Sequence, residues 1–196
     1  MKSDPNNLPD RIRFRACVPV NLRSEIGIQP LADMMSKGSK CRWGNYISFL
    51  IFPFSIGIET NPLVYLSKAK ATMNRKKNSF HATLIYWFIK LILYMVGAKV
   101  GAVLFNRPCS TTTMWVSNIV GPVEEVSFQG HPIAYIALSA YGHSQALLIH
   151  FISYAEKMVI SIAIDPRVIP DPHKLLYEME ESLKAMKATL SEGGLL

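Results

Sequence analysis

The chain has 196 residues, 49% hydrophobic and 18% charged, with a formal net charge of +7. At this length one domain buries about 70% of the surface of its unfolded chain, and the low charge implies broad apolar surfaces facing a lipid-like ligand, a missing partner half or a membrane. The basic residues form no stripe interleaved with exposed aromatics and no nucleic-acid module is present, which excludes a nucleic-acid partner; the excess suits anionic lipid or ligand phosphates.

Met1–Pro9 is polar and has no apolar h-region, so no secretory signal is expected. The chain starts only a few residues before its first strand, an abruptness that fits half of a longer protein. Cys17, Cys41 and Cys109 are odd in number, far apart and without any C-x-x-C. They imply a reducing compartment with no disulfide framework and no metal site.

Ile12–Val20 alternates as a strand, which Val18-Pro19 confines to an edge or a strand end. Residues 24–40 read as a loop with a short helical turn at Leu31–Met35. Tyr46–Ile58 is apolar on both faces and predicts a buried strand, interrupted near Pro53. Asn61-Pro62 opens a helix that runs to about Asn78, with Leu63, Leu66 and Met73 on one face and a strongly basic remainder.

Ser79–Phe105 is the longest apolar stretch, but Lys90 and Lys99 divide it and fall on opposite sides of a helix. The stretch therefore reads as core helices, broken into two packed pieces at Gly97 and Gly101, ahead of interfacial membrane contact or a true span. From Thr111 the period becomes two. Thr111–Val116, Pro132–Tyr141, Ala146–Tyr154 and Lys157–Ile164 are the predicted strands, the last two forming an antiparallel hairpin. A final helix is capped by Asp171, opened by Pro172 and closed by Gly193-Gly194, with an apolar stripe of Leu175, Met179, Leu183, Met186 and Leu190. The elements sum to one α+β domain over 1–196 with a core of about 8–190, its helices covering one face of a mixed sheet.

No complete active site is legible. Of the five histidines, none is followed four residues later by an acid: those positions hold Ile85, Tyr135, Leu147, Tyr154 and Tyr177. His150 alternates with apolar neighbours on a strand and reads as a core or tunnel residue. His143 lies in a turn beside hydroxyls and is the best catalytic candidate among the five. No nucleophile elbow, phosphate-binding loop or dinucleotide fingerprint is present.

Four motifs do carry a signal: RFRACVPVNLR at Arg13–Arg23, CRWGNYISFLIFPFS at Cys41–Ser55, VSNIVGPV at Val116–Val123 and ISY at Ile152–Tyr154. In that order they resemble the C-terminal half of the plant wax ester synthase/diacylglycerol acyltransferases. The resemblance implies half of a chloramphenicol-acetyltransferase-like fold, in which two α/β halves flank a tunnel. It implies long-chain acyl-CoA as co-substrate, with no other cofactor, and a fatty alcohol or diacylglycerol as acceptor. It further implies the cytosolic face of the endoplasmic-reticulum or plasma membrane. The family's catalytic HHxxxDG motif is absent from this sequence, so the N-terminal catalytic half is missing from it, which leaves open a short product completed by an N-terminal HHxxxDG half, a truncated gene model or a remnant. By the same resemblance Asn45, Ser117, Asn118, Gly121 and Pro122 position substrate or shape the loops around it, while Ser153 and Asp165 are structural. The reading from residues alone keeps a non-catalytic lipid- or acyl-CoA-binding module, or a remnant, open beside the acyltransferase.

Overall fold

The computed structural model describes residues 13–23, 34–39, 44, 46–57, 59–77 and 79–193. A five-stranded mixed sheet is built in the order β2-β1-β3-β6-β7 from β1 (Arg13–Asn21), β2 (Ile47–Ser55), β3 (Met114–Val120), β6 (Leu147–Tyr154) and β7 (Lys157–Ile164). The outer pairs β1–β2 and β6–β7 are antiparallel, and the inner contacts β1–β3 and β3–β6 are parallel. Two two-residue strands, β4 (Ser127–Phe128) and β5 (His131–Pro132), make a separate small hairpin. Helices α1 (Leu63–Lys77), α2 (His81–Ser110) and α3 (Pro172–Glu192) complete the α+β architecture expected from the sequence.

The helices cover both faces of the sheet, not one. On the first face Ala16, Phe52, Met114, Leu147 and Ile149 form a buried cluster, roofed by Ala69 and Met73 of α1 and by Leu175 and Met179 of α3. On the second, Cys17, Trp115 and Leu148 pack with Cys109 of α2, with Phe49 and Ala140 beside them. The cause is the period-two alternation of apolar strands: β1, β2, β3 and β6 carry apolar side chains both up and down, and each set needs cover.

Proline placement follows hydrogen-bond supply. β1 is an interior strand, but its pairing with β3 ends at Cys17, two residues before Pro19, so the missing N–H costs no ladder bond there. Pro53 does not interrupt β2, which continues to Ser55; β2 is the edge strand, where a residue without an N–H is tolerated.

Helix ends match the sequence reading. Asn61 Oδ1 accepts from Leu63 N at 2.9 Å and Asp171 Oδ1 from Lys174 N at 2.9 Å. Leu66 departs from the expected face of α1 and is half exposed. Two further expectations fail. Residues 133–141 form no ladder, because the segment lies across the second face of the sheet. Its carbonyls at Ala134 and Leu138 are met by side chains of β7, Lys157 Nζ and Ser161 Oγ. The apolar α2 is not a core helix either: of its span His81–Leu104 only Ala82 and Gly101 are buried. Gly97 (φ 76, ψ 173) breaks it as the sequence suggested. The second limb folds back so closely that a Cβ on Gly101 would lie 2.6 Å from Leu93 Cδ2.

Candidate functional site

The second face of the sheet divides into an apolar half under α2 and a polar half under residues 133–146. In the apolar half a cavity of about 380 Å³ lies between Cys17 and Ile51 of the sheet and Ile85, Phe88, Ile92 and Leu104 of α2. An adjoining space of about 440 Å³ shares Phe49, Ile89 and Gly101 with it and reaches Tyr86 and Lys90. Its walls follow from the register: Cys17 pairs with Ile51 and Pro19 with Phe49, so the same side of β1 and β2 meets the helix. The far end of α2 is held down where Cys109 Sγ contacts Cys17 Sγ at 3.9 Å, both thiols free. The contact with Cys109, followed by burial, pushes the Cys17 thiol well above its ordinary range. Buried Gln145 adds a second clamp, its Nε2 donating to Cys109 O at 2.6 Å and Thr112 Oγ1 at 2.9 Å.

In the polar half, parallel pairing of β3 with β6 sets Ser117 beside His150, and antiparallel pairing with β7 sets Ser161 on the other side of His150. Ser117 and His150 are both 6% exposed. His143 reaches the same region from the preceding segment, its ring 4.4 Å from that of Trp115. Burial, and then the neighbouring His143, hold the His150 imidazole below its ordinary pKa, so it is neutral at pH 7. Its Nε2 is buried and has no hydrogen-bond partner among the described residues. Leaving such an atom unpaired costs about 1–3 kcal/mol, so a hydrogen-bonding group brought to it would be stabilising. His143 also lines an open cleft of about 610 Å³ with Gln145, Asp165 and Arg167. There Arg167 donates to Asp165 from Nε at 3.0 Å and Nη2 at 2.7 Å, holding the carboxyl down to about 2.

The structure therefore brings Ser117, His143 and His150 together and places the other sequence candidates elsewhere. Asn118 lies inside β3 rather than at its end; it pairs with Phe151 on the opposite face from Ser117 and is exposed. Asn45 lies outside the described residues, as does Cys41. Gly121 and Pro122 lock the exit of β3 to the β6–β7 turn. Gly121 N donates to Ser153 Oγ at 3.3 Å, Ala155 N donates to Pro122 O at 3.0 Å, and a Cβ on Gly121 would strike the Ser153 carbonyl oxygen. Asp165 also ties the end of β7 to the start of β6: Asp165 N donates to Ala146 O, and its carbonyl accepts from Val168 and Ile169.

Two residues that matter escaped the sequence reading, and a third, Tyr154, entered it only as part of the ISY motif. Trp115 carries the His143 ring, Gln145 clamps α2, and Tyr154 is 1% exposed with its hydroxyl donating to Ile133 O at 2.7 Å and accepting from Val126 N at 3.0 Å. The usable signals were a tryptophan between two apolar residues just before SNIVGP and a lone glutamine entering an apolar strand. Among the described residues no three His, Cys, Asp or Glu gather as metal ligands.

Comparison with known proteins places this geometry in context. The profile of the WS/DGAT C-terminal domain matches residues 43–187. Wax ester synthase/diacylglycerol acyltransferase 7 of Arabidopsis thaliana is 64% identical over 191 residues, which is 97% of this chain and 40% of the relative. Wax ester synthase/diacylglycerol acyltransferase 8 of the same plant is 61% identical over 196 residues, 100% of this chain and 40% of the relative. Wax ester synthase/diacylglycerol acyltransferase 10 is 64% identical over 189 residues, 96% of this chain and 38% of the relative. The chain thus spans about two fifths of the length of the curated relatives it matches.

Proposed function

The chain belongs to the wax ester synthase/diacylglycerol acyltransferase family, and on that premise we propose that it forms one wall of an acyl-CoA-dependent O-acyltransferase making wax esters or triacylglycerol. The observation that carries the reading is a juxtaposition: an apolar cavity sized for part of a fatty chain shares one sheet face with a buried, unpartnered imidazole. Cys17, Ile51, Phe88 and Ile92 hold the acyl chain, with acyl-CoA as co-substrate and a long-chain alcohol or diacylglycerol as acceptor.

In the reaction the acceptor hydroxyl oxygen attacks the thioester carbon, the carbon–sulfur bond breaks, and the hydroxyl proton ends on the departing CoA thiol. A base must take that proton in between. No histidine here has an acid four residues on, so the base belongs to a half carrying HHxxxDG. His150, with Ser117 beside it, positions a polar substrate atom by offering Nε2 as a hydrogen-bond partner, and His143 borders the approach. Gly121 and Pro122 keep the SNIVGP segment against β6, while Asn118 meets the companion half from the opposite face of the sheet. The enzyme works at the cytosolic face of the endoplasmic-reticulum or plasma membrane.

A second reading, a non-catalytic lipid- or acyl-CoA-binding module, draws on the same cavity and the lack of an acid behind any histidine. One assay separates the two. Labelled palmitoyl-CoA is incubated with hexadecanol or diacylglycerol and the chain, with and without a relative's HHxxxDG half. Ester formed only when both are present supports the acyltransferase wall. Saturable palmitoyl-CoA binding without ester in either mixture supports the binding module, and ester from the chain alone overturns the assignment of the base.

A further inference from the structure

We propose that the α2 hairpin is the membrane-docking element of this protein, seated in the headgroup layer of a bilayer that carries anionic lipid. The proposal rests on the membrane part of the reading above, not on its chemistry. Vesicle binding is measured without acyl donor or acceptor, so either can fail while the other stands.

The hairpin is apolar all round rather than along one stripe, and a helix of that kind needs cover on every side. The described residues cover one side only. Ile85, Ile89 and Ile92 face the cavity, while Trp87 (58% exposed), Leu91 (53%), Tyr94 (89%), Met95 (71%), Val100 (48%) and Val103 (61%) face outward. The tip beside Gly97 is the most exposed part. That distribution matches a solvent in which apolar surface costs nothing.

Charge identifies this solvent. From Thr60 to Val123 the chain has eight lysines and arginines and no acid, whereas the remainder carries 13 bases against 14 acids. Five of those eight lie on α1, which roofs the other face of the sheet and whose Lys68 pairs with Glu59 at 2.6 Å, so the charge at the hairpin is that of three bases on it and three at its root. Arg75, Lys76 and Lys77 end α1 just before it, and Lys90, Lys99 and Arg107 ride on it. Each base near an anionic surface contributes about 1 kcal/mol of attraction. Lys90 Nζ also sits 5.0 Å from the Trp87 ring centroid, an aromatic–cation pair suited to the headgroup level. A protein surface would offer nothing to this excess unless it were both apolar and acidic.

Geometry decides between docking and crossing. The first limb, residues 81–96, is about 24 Å long against about 30 Å of hydrocarbon. Both ends of α2 are also tied to one sheet, Ala82 O accepting from Ser48 Oγ at 2.6 Å and Cys109 touching Cys17. The hairpin thus dips in from one side and returns, with Lys90 and Lys99 reaching back to the headgroups. This orientation turns the apolar cavity behind the hairpin toward the layer in which fatty alcohols and diacylglycerol dissolve.

The test is flotation of the full chain with phosphatidylcholine vesicles, with and without phosphatidylserine, alongside two variants. Tyr94→Glu/Met95→Glu alters only the exposed tip and lowers partition at least about tenfold on both vesicle types. Arg75→Gln/Lys76→Gln/Lys77→Gln removes the preference for phosphatidylserine, a loss of roughly ten- to hundredfold. Both keep the wild-type circular dichroism, and brominated lipid quenches tryptophan emission in the wild-type chain but not in the tip variant. Failure of the wild-type chain to float, or flotation of both variants like the wild type, overturns the proposal. So does a lipid-free self-association abolished by the tip variant, which would give the face to a second copy of the chain.

Discussion

Replacing Gly121 by alanine tests how the SNIVGP loop is held. The added Cβ would strike the backbone carbonyl oxygen of Ser153, with Ser153 C at 3.3 Å and Ile152 Cγ1 at 3.4 Å. No rotamer change relieves a clash with backbone in the middle of a paired strand, so β6 or the loop must shift. That shift stretches the Gly121 N–Ser153 Oγ and Ala155 N–Pro122 O bonds. Overpacking of this kind costs about 1–3 kcal/mol, and a backbone obstacle puts the cost at the upper end, about 2–3 kcal/mol. For a chain of this size the thermal midpoint falls by about 4–12 °C. Gly57→Ala is the control: nothing lies within 4 Å of its added Cβ, and the loss of backbone freedom in the unfolded chain makes it neutral or slightly stabilising. The assay is thermal unfolding by circular dichroism for both variants. Equal midpoints would refute the close approach of β3's exit to β6.

Three further outcomes are expected from the same fold. His150 is held below the ordinary value of 6.5, so in the folded state it resists a proton that the unfolded chain accepts; its contribution to stability is complete above about pH 6.5 and is lost as pH falls. His150→Phe should therefore flatten the drop in thermal midpoint between about pH 7.5 and about pH 5.5, and a drop identical to wild type would count against a buried neutral imidazole. Ile51→Trp fills the cavity beneath α2 and should weaken palmitoyl-CoA binding about tenfold or more while leaving acetyl-CoA unaffected, as read by isothermal titration; the same loss for both ligands would place the fatty chain elsewhere. Asp171→Ala removes the cap of α3 and should cost about 0.5–2 kcal/mol in urea unfolding, with Asn restoring most of it; no change would mean that Lys174 N finds another acceptor.

What was legible in the sequence was local. Asp171-Pro172 and Asn61-Pro62 announce helix starts because one side-chain oxygen and one missing N–H act within three residues. The β6–β7 hairpin is readable because two alternating runs are separated only by Ala155 and Glu156, both at positive φ. Residues 133–141 misled because alternation reports that a segment has one covered side, and an extended segment lying on a sheet satisfies this as well as a paired strand does. The site was harder still. Ser117 and His150 lie 33 positions apart and meet only through the register of a parallel pair, which no local pattern encodes. Asn118 was a reasonable candidate from its motif, yet a shift of one residue along β3 is a change of face. For α2 the break at Gly97 was readable from composition, but its exposure depends on what the rest of the fold leaves uncovered.

The central claim, that the cavity between α2 and strands β1 and β2 holds the fatty chain on the sheet face that also carries His150, can be mapped directly. A palmitoyl-CoA analogue with a diazirine at the far end of its chain is bound to the protein, irradiated and located by peptide mass spectrometry. Labelling concentrated on Phe49, Ile51, Phe88 and Ile92, and displaced by unlabelled palmitoyl-CoA, is the predicted result. Displaceable labelling confined to the opposite face, around Met73, Leu175 and Met179, would contradict it.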